Sequence, residues 1–492
     1  MPLPESGAIW PPTELAPLYR EMRLDAAWYS GAPKRLAEVY RTEQQRREDG
    51  RRRLWGRGHQ PRADRRDGRL HIPLAADIAT TSADLLFSEP PVFTVDDATA
   101  QQRLDEITEA GGVANTLLES AEIGAALGGV FLRVTWDASL AARPLLTAVH
   151  PDAALPEFRW GVLCAVTFWR ELPSDTGTVW RHLERHEPGR IVHALYQGTP
   201  DRIGTRVPLV EHPDTAPLAE SLGPDGDTIE TGIEALTAAY IPNIKPNRRH
   251  RGSPFGRSDY QSSHDLFDAL DETWSSWLRD LRLARARLIV PDGYLRDHGP
   301  GRGASFDDDR EIWQALNIPP DESAGITLSQ FAIRVTEHQQ TADAIVRQAV
   351  QGAGYSAQSF GLGDSTAATA TEVTARERRS MITRAKKARY WAPAVADMLH
   401  VLLMLDRNLF TPGLTVERPR VAFGDSVSED PQAVAQTLSL LHQAQSVSVD
   451  TRVRLLHPDW DESTVQEEVE RILTETGTAV PDPMQNGRPF GT

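Results

Sequence analysis

Two groups of residues could form a metal or hydrolase site by their residue types and spacing, and each also has a simpler structural interpretation. Asp307, Asp308 and Asp309 form an acidic run in a glycine-flanked stretch. Such a run could serve a metal site or a hydrolase, but it is more typical of a solvated loop. His182 and His186 could form a metal pair, but in a strand they share one face by alternation alone, and no HExxH motif or cysteine partner accompanies them. We therefore predict no catalytic residue, no metal and no cofactor.

Motifs that bind nucleotides or activate nucleophiles are absent from the sequence. A P-loop requires a lysine directly after a glycine, and the four lysines instead follow Pro33, Ile244, Ala385 and Lys386. GxSxG and CxxC motifs are also missing, and no GxGxxG motif lies between a strand and a helix. In a chain of 492 residues, this favours a structural or assembly role over an enzyme.

The balance of charge limits what the protein can bind. The net charge is −16, which argues against a protein whose main task is to grip nucleic acid, because phosphate binding requires Lys and Arg. It does not exclude a protein through which DNA passes. The densest basic run, Arg46 to Arg69, fits a nucleic-acid arm or a capsid-facing patch, or simply a solvated loop.

Length, composition and cysteine content indicate a multidomain protein that works in the cytoplasm. The chain is long enough for two to four domains, and its 40% hydrophobic residues are ordinary for a globular protein. No run of 18 apolar residues is present, and we expect neither a membrane-spanning helix nor a signal peptide. The single cysteine, Cys164, lies in the apolar run VLCAVTFW and is expected to be a core thiol.

Periodicity predicts an α+β fold that is predominantly helical. Helical patterns cover 12–48, about 70–89 and 99–127, and Gly111-Gly112 divides the last of these. Short β-branched and aromatic runs follow over about 128–197. One pair of them forms a predicted hairpin through Glu187-Pro188-Gly189.

The stretch from 257 to 406 organises the rest of the chain. A helical stripe over 259–287 is followed by a glycine- and aspartate-rich insert, a second helix over 337–351, a glycine-containing loop, and a long helix that begins near Thr369. Pro393 lies inside that long helix, where proline removes a hydrogen bond, so we predict a kink there. The last turns of the first helix carry arginines that suit the helix dipole, namely Arg279, Arg282, Arg285 and Arg287.

Five segments, in this order, resemble the portal proteins of tailed bacteriophages, of the siphophage type found in phages of high-GC hosts. They are IPLAADIATTSADLLFSEPPVF, HLERHEPGRIVHALY, FGRSDYQSSHDLFDALDETWSSWLRDLRLARARLIVP, STAATATEVTARERRSMITRAKKARYW and LLHPDWDESTVQEEVERIL. Together they span most of residues 70–475. The resemblance implies a ring, typically of twelve subunits, around an axial channel.

The resemblance also implies a division into wing, stem, clip and crown. The parts are the wing (1–256, β-rich over about 128–197), the stem helices (257–288 and 337–353), the clip (289–336), the channel loop (354–368), the long kinked helix with its link back to the wing (369–424), the crown (425–476) and a disordered tail (477–492). The channel-loop residues that it implies are Gly354, Tyr355, Ser356, Gln358, Phe360, Gly361, Leu362 and Gly363. The four stem arginines become candidates for facing the channel. Because the loop carries no basic residue, we expect it to let DNA slide.

The partners follow from the same resemblance. They are further copies of the chain in a dodecameric ring, double-stranded DNA that passes without sequence recognition, the terminase large subunit, the major capsid and scaffolding proteins, and a head–tail adaptor; no membrane is involved. The implied location is the portal vertex of the capsid in the virion, after assembly in the host cytoplasm. Two alternatives stay open: another capsid or head–tail adaptor protein without a DNA channel, and an enzyme that uses Asp307–Asp309.

Overall fold

The computed structural model describes most of the chain. The described residues are 3–39, 69–174, 177–222, 226–284, 287–289, 296–297, 304–305, 327–329, 333–362, 370–424, 438–441, 443–444, 447–457, 460 and 462–475. The acidic run Asp307–Asp309, nearly all of the basic run Arg46–Arg69 and the predicted tail 477–492 lie outside them. Residues 1–365 with 376–424 form one compact unit, and residues 366–375 with 425–492 form another.

Helices dominate the first part of the larger unit. They are α1 (Ala16–Ser30), α2 (Leu74–Phe87), α3 (Ala98–Ala110) and α4 (Val113–Leu127). Helix α2 ends just before Glu89-Pro90-Pro91, because proline cannot continue a helix. Gly112, with φ at 62°, separates α3 from α4. The predicted division at Gly111-Gly112 is confirmed.

Ten strands lie in the described residues up to position 242, and all but the first, which pairs with a later strand, belong to two sheets. They are β1 (Val92–Thr94), β2 (Gly129–Thr135), β3 (Leu145–Val149), β4 (Ala154–Arg159), β5 (Val162–Leu172), β6 (Val179–Glu187), β7 (Arg190–Thr199), β8 (Arg202–Val207), β9 (Thr228–Glu230) and β10 (Ala238–Pro242), with a short helix α5 (Ala216–Ser221) between β8 and β9. One sheet has the order β10-β2-β3, and the other the order β4-β5-β6-β7-β8 with β9 paired to β7. The β6–β7 hairpin turns at Gly189, whose φ is 88°, as predicted.

Helix α6 (His264–Leu283) is shorter than the predicted helix over 259–287. At its start, the backbone N–H of Asp259 donates to Ala125 O (3.0 Å), which holds the preceding residues against the end of α4. At its far end the chain leaves the helix, and β11 (Arg287–Ile289) pairs with a later strand. The helix prediction was therefore wrong at both ends, because tertiary hydrogen bonds override the local helical pattern.

The remaining elements complete the two units. The described part of the insert contains β12 (Arg296–Asp297), β13 (Ala304–Ser305) and β14 (Thr327–Ser329); β12 pairs with β13, and β14 is the partner of β11. Helix α7 (Val335–Ala353) and the long helix α8 (Ala370–Leu409) follow, and β15 (Arg420–Ala422) pairs with β1. In the smaller unit, α9 (Val449–Leu456) contacts α10 (Glu462–Glu475).

One hydrophobic cluster joins most elements of the larger unit. Its fully buried members include Ile78 of α2, Leu117 of α4, Leu132 of β2, Leu270 of α6 and Leu399 of α8. The core therefore lies where the N-terminal helices, the small sheet and the long helix meet, and it fixes the position of α8. Across the described part of the chain, no helix combines the length and the apolar character that crossing a membrane requires.

Candidate channel segment

The described part of the predicted channel loop, residues 354–362, begins where α7 ends; we call it the channel segment. Gly354 has φ at 99°, in the left-handed region that glycine tolerates best, and its N–H donates to Gln351 O (3.1 Å). A Cβ atom here would lie only 3.0 Å from Thr383 Oγ1 of α8. Gly354 therefore ends the helix and allows α8 to approach closely.

Tyr355 departs most clearly from the sequence-based expectation. It was expected to touch a passing duplex, but its side chain is only 1% exposed, and its hydroxyl donates to Asp259 Oδ2 (2.8 Å). Burial, and then the Asp259 carboxylate, raise the pKa of Tyr355 well above its ordinary value. A buried acceptor therefore holds the phenol in the interior, and a direct contact of Tyr355 with DNA stays a prediction.

Hydroxyl groups bind the first half of the channel segment to α8. The N–H of Ser356 donates to Ser380 Oγ (2.9 Å), and Ser359 Oγ lies 2.9 Å from the same oxygen. Thr383 Oγ1 donates to the carbonyl oxygen of Gly354 (2.6 Å). These hydrogen bonds make the segment an ordered layer on one face of the long helix.

The second half of the channel segment, residues 358–362, is partly exposed. Gln358–Phe360 form a 3-10 turn in which both end residues are partly exposed, and Gly361 is exposed with φ at 70°. Leu362 is half-buried. Gly363 lies outside the described residues. Of the predicted loop residues that are described, Gln358, Phe360, Gly361 and Leu362 therefore keep exposed surface for contact.

A buried polar junction lies behind the channel segment, formed by Ser82, Asp259, Tyr355 and Lys387. Lys387 Nζ lies 2.6 Å from Asp259 Oδ2 and donates to Ser82 Oγ (2.5 Å). The Lys387 and Asp259 side chains are 1% and 0% exposed. Asn243 Nδ2 donates to the other Asp259 oxygen (2.8 Å). The junction thus ties α2, the residues before α6, the channel segment and α8 together.

Electrostatics at the junction couple the charged groups to one another. Burial lowers the pKa of the Lys387 ammonium, and the nearby Asp259 carboxylate raises it back in part. The ammonium also lies 5.6 Å from the centre of the Tyr355 ring, which favours the charged form. Sequence reasoning missed this site, because a lone Asp before a helix and one lysine of an adjacent pair carry no recognisable spacing.

The predicted channel-facing arginines do not share one helix. Arg279 and Arg282 are exposed on α6. Arg287 instead opens β11, where it pairs with Ser329, and Arg285 lies outside the described residues. The predicted position of Arg287 on the stem helix was wrong because α6 ends at Leu283. Whether Arg279 and Arg282 face a channel stays a prediction.

A polar clasp joins the C-terminal end of α6 to the N-terminal end of α7. Asp280 Oδ2 accepts hydrogen bonds from Arg334 Nη2 (2.9 Å) and His338 Nε2 (2.9 Å). The His338 ring stacks on Trp277, with centroids 6.0 Å apart and 8° between the planes. The hydrogen bond from His338 is the largest of the effects that lower the pKa of Asp280. The clasp fixes the two helices in antiparallel orientation.

Pro393 lies inside α8, as predicted. Proline has no N–H, so the carbonyl group of Arg389 loses its usual helical donor. The carbonyl oxygen of Pro393 accepts a hydrogen bond from Arg418 Nη2 (3.2 Å), and Arg418 Nε also donates to Asp397 Oδ1 (2.7 Å). Helix α8 continues through this position, and the kink stays a prediction.

The two histidines of β6 have protein partners. His182 Nε2 lies 3.2 Å from His193 Nδ1, and burial lowers the pKa of His182 to about 4. His186 lies 2.8 Å from Glu184 Oε1 and 2.6 Å from Thr237 Oγ1. In the residues that the structure describes, no group of three or more His, Cys, Asp or Glu side chains is placed to hold a metal ion.

Comparison with known proteins gives matches over most of the chain. No curated protein sequence is similar to it. Similar solved structures include the neck of a native GTA particle computed with C12 symmetry (15% identity, TM-score 0.43, covering 82% of this chain and 95% of that chain) and the virion of a native gene transfer agent (GTA) particle (12% identity, TM-score 0.42, 92% and 96%). The family model described as "Phage portal protein, SPP1 Gp6-like" matches residues 33–482. The chain therefore belongs to the SPP1 Gp6-like family of phage portal proteins.

Proposed function

We propose that this chain assembles with copies of itself into a closed ring whose axial channel carries double-stranded DNA into and out of a phage capsid. Family membership supports the proposal, since portal proteins are structural components of phage virions. The observation that carries it is the antiparallel pair α6–α7, followed directly by a segment docked on the long helix α8. The proposed subunit number is twelve.

The proposed division follows the resemblance, with limits adjusted to the observed helices. The stem consists of α6 and α7, the clip of the insert between them, and the channel loop of the channel segment with the residues up to α8. The wing comprises the residues before α6, to which the link after α8 returns through the β1–β15 pair. The crown comprises the residues from 425 to 476, including α9 and α10.

The proposed partners follow from the same role. The ring would sit at the portal vertex of the capsid, after assembly in the host cytoplasm, and would contact the major capsid and scaffolding proteins. A terminase large subunit would supply the motor, since the sequence has no P-loop. A head–tail adaptor would bind after packaging. DNA would pass without sequence readout, because phosphate contacts carry no sequence information.

The stem pair has a surface that suits contact between copies. An open groove between α6 and α7 is lined by Leu266, Ala344 and Ile345, with Glu337 and Gln340 among its polar edges. A ring needs a heterologous interface, in which one face of each subunit meets a different face of the next. We propose that a neighbouring stem covers this groove.

Negative-stain microscopy of the purified full-length chain tests the proposal. We expect closed rings with a central opening. Ile345→Asp should prevent ring formation, because it puts a charge into a contact between copies. Leu140→Asp is the matched control, since Leu140 is 75% exposed and lies outside the stem pair. A monomer across a range of protein and salt concentrations would contradict the proposal, and an adaptor without a channel would then be the better assignment.

A further inference from the structure

Helix α8 presents an exposed basic face between residues 378 and 389. Arg378, Lys386 and Arg389 are all exposed, and at 3.6 residues per turn they project within about 80° of one another. Ile382 lies between them and is 47% exposed. We call the three cations the basic face. They lie on the side of α8 opposite Ser380, which contacts the channel segment.

Among the residues that the structure describes, no carboxylate forms an ion pair with the cations of the basic face. The ion pairs of α8 among the described residues are made by Lys387, Asp397 and Asp406, and none involves the basic face. Within residues 376–389 there are seven Arg or Lys residues against one Glu, in a chain whose net charge is −16. This stretch therefore concentrates positive charge that the rest of the molecule does not match.

Some exposed arginines elsewhere pair with a carboxylate close by in the chain. Arg190 pairs with Glu187 at 2.7 Å, and Arg454 pairs with Asp450 at 3.1 Å. Both pairs lie within one helical turn or hairpin of chain, so local carboxylates satisfy local cations. Within the described part of the chain the basic face has no such ion pair, so its three long, hydrated side chains can meet a polyanion.

We propose that the basic face contacts the phosphate backbone of double-stranded DNA without reading its sequence. The inference rests on the proposed channel and names the surface that meets the duplex. Arg378 and Arg389 are about 16 Å apart along the helix, and duplex DNA carries one negative charge per about 1.7 Å of its axis. The three cations can therefore bind several phosphates at once.

The composition of the face favours DNA over an acidic protein partner. Protein–protein contacts accept Arg, but they are depleted of Lys and rich in aromatic and other apolar anchors at their centre. The basic face instead includes Lys386, and Ile382 is the single apolar residue among its three cations. Phosphate contacts use flexible Arg and Lys side chains and tolerate a backbone that slides. The channel segment, which has no Arg or Lys, lies on the opposite side of α8, so substitutions on the basic face leave its contacts intact.

Salt-dependent binding of a random-sequence duplex to the full-length protein tests the inference. The triple variant Arg378→Gln, Lys386→Gln and Arg389→Gln should bind about tenfold or more weakly between about 50 and 200 mM salt, and the slope of log affinity against log salt should fall in magnitude by about 2–3. The matched control is a triple variant with the same loss of charge at other exposed arginines, Arg20→Gln, Arg23→Gln and Arg159→Gln.

The control and a conservative variant separate the outcomes. The control should keep wild-type affinity and slope, and Arg378→Lys with Arg389→Lys should restore most of the binding. Equal losses in both triple variants would overturn the inference, since net charge alone would then explain them. An unchanged slope in the basic-face variant would also overturn it, and so would loss of rings at unchanged DNA affinity. If the wild type forms rings and the basic-face variant binds normally, this inference fails alone; if the wild type forms no rings, the proposed function fails.

Discussion

Lys386 and Lys387 are neighbours in sequence and opposites in environment. Lys387 is 1% exposed and lies 2.6 Å from Asp259 in the polar junction. Lys386 is exposed on the basic face. A rotation of 100° around the helix separates them. Position on α8, and not residue type, therefore decides whether a lysine stabilises the fold or stays exposed to a ligand.

The energetic consequences differ as sharply as the environments. A buried ammonium loses several kcal/mol of hydration, and only its partner carboxylate and hydrogen bonds offset that loss. A hydrated surface cation loses none, and exposed charges change stability little. The comparison therefore predicts large effects on unfolding at the junction and small ones on the basic face.

The largest effect should come from Lys387→Met. This substitution leaves Asp259 buried without a cation, and we expect the free energy of unfolding to fall by about 3–5 kcal/mol. Lys386→Met is the adjacent control and should change it by less than about 0.5 kcal/mol. Urea denaturation measures both. Similar losses in the two variants would remove the distinction between the faces.

His182, which is buried in the six-stranded sheet, is stable there because its imidazole stays neutral. Because the pKa of His182 is lowered to about 4 in the folded protein, the unfolded chain binds more protons below about pH 6.5. The stability that neutral His182 contributes should therefore fall as the pH drops from about 6.5 to 4, by about 3 kcal/mol in all, and this contribution levels off below that. The neighbouring His193 acts in the same direction, since its pKa is lowered too.

Variants assign that pH dependence. His182→Gln should flatten the profile measured by urea denaturation at each pH, whereas the exposed His150→Gln should leave it unchanged. Among the charged groups around the pair, Glu184 raises the pKa of His182, whereas Arg170 and Arg133 lower it. A profile that keeps its full slope in His182→Gln would show that other groups cause it.

A smaller effect is expected from Tyr355→Phe. The change removes the hydroxyl that donates to Asp259 and keeps the ring, so the free energy of unfolding should fall by about 1–2 kcal/mol. Tyr390→Phe on α8 is the control, because Tyr390 is only half-buried. Equal changes in the two variants would mean that the junction does not depend on the Tyr355 hydrogen bond.

The smallest effect should come from the basic face itself. Arg378→Gln and Arg389→Gln should each change the free energy of unfolding by less than about 0.5 kcal/mol. The same variants should weaken DNA binding, so the two readouts move independently. A clear loss of stability in either variant would mean that this arginine stabilises the fold, as the polar junction does.

The order of helices and strands could be predicted from the sequence because it depends on local patterns of glycine, proline and apolar residues. The break at Gly111-Gly112 and the β6–β7 hairpin turn were predictable because Gly112 and Gly189 adopt positive φ angles, which glycine tolerates in any surroundings. The helix pair and the long helix with Pro393 follow from 3.6-residue periodicity. Local chemistry therefore determined what each segment is.

Contacts between distant segments escaped the sequence. Asp259 and Lys387 are 128 residues apart, and neither has a neighbour that reveals the other. The burial of Tyr355 and the end of α6 before Arg287 follow from such distant partners. Periodicity alone does not show which side of α8 the basic residues of 376–389 face, because that side is defined by what packs on the other side of the helix.

The polar junction also has a consequence for the order of events during synthesis. Asp259 precedes Lys387 by 128 residues, so at about 5–20 residues per second the lysine is made about 6–26 s later. Throughout that interval the Asp259 carboxylate lacks its cation, and burying it alone is unfavourable. The N-terminal helices can therefore close around Asp259 only after α8 has left the ribosome, which makes the last helix of the larger unit the one that completes its interior.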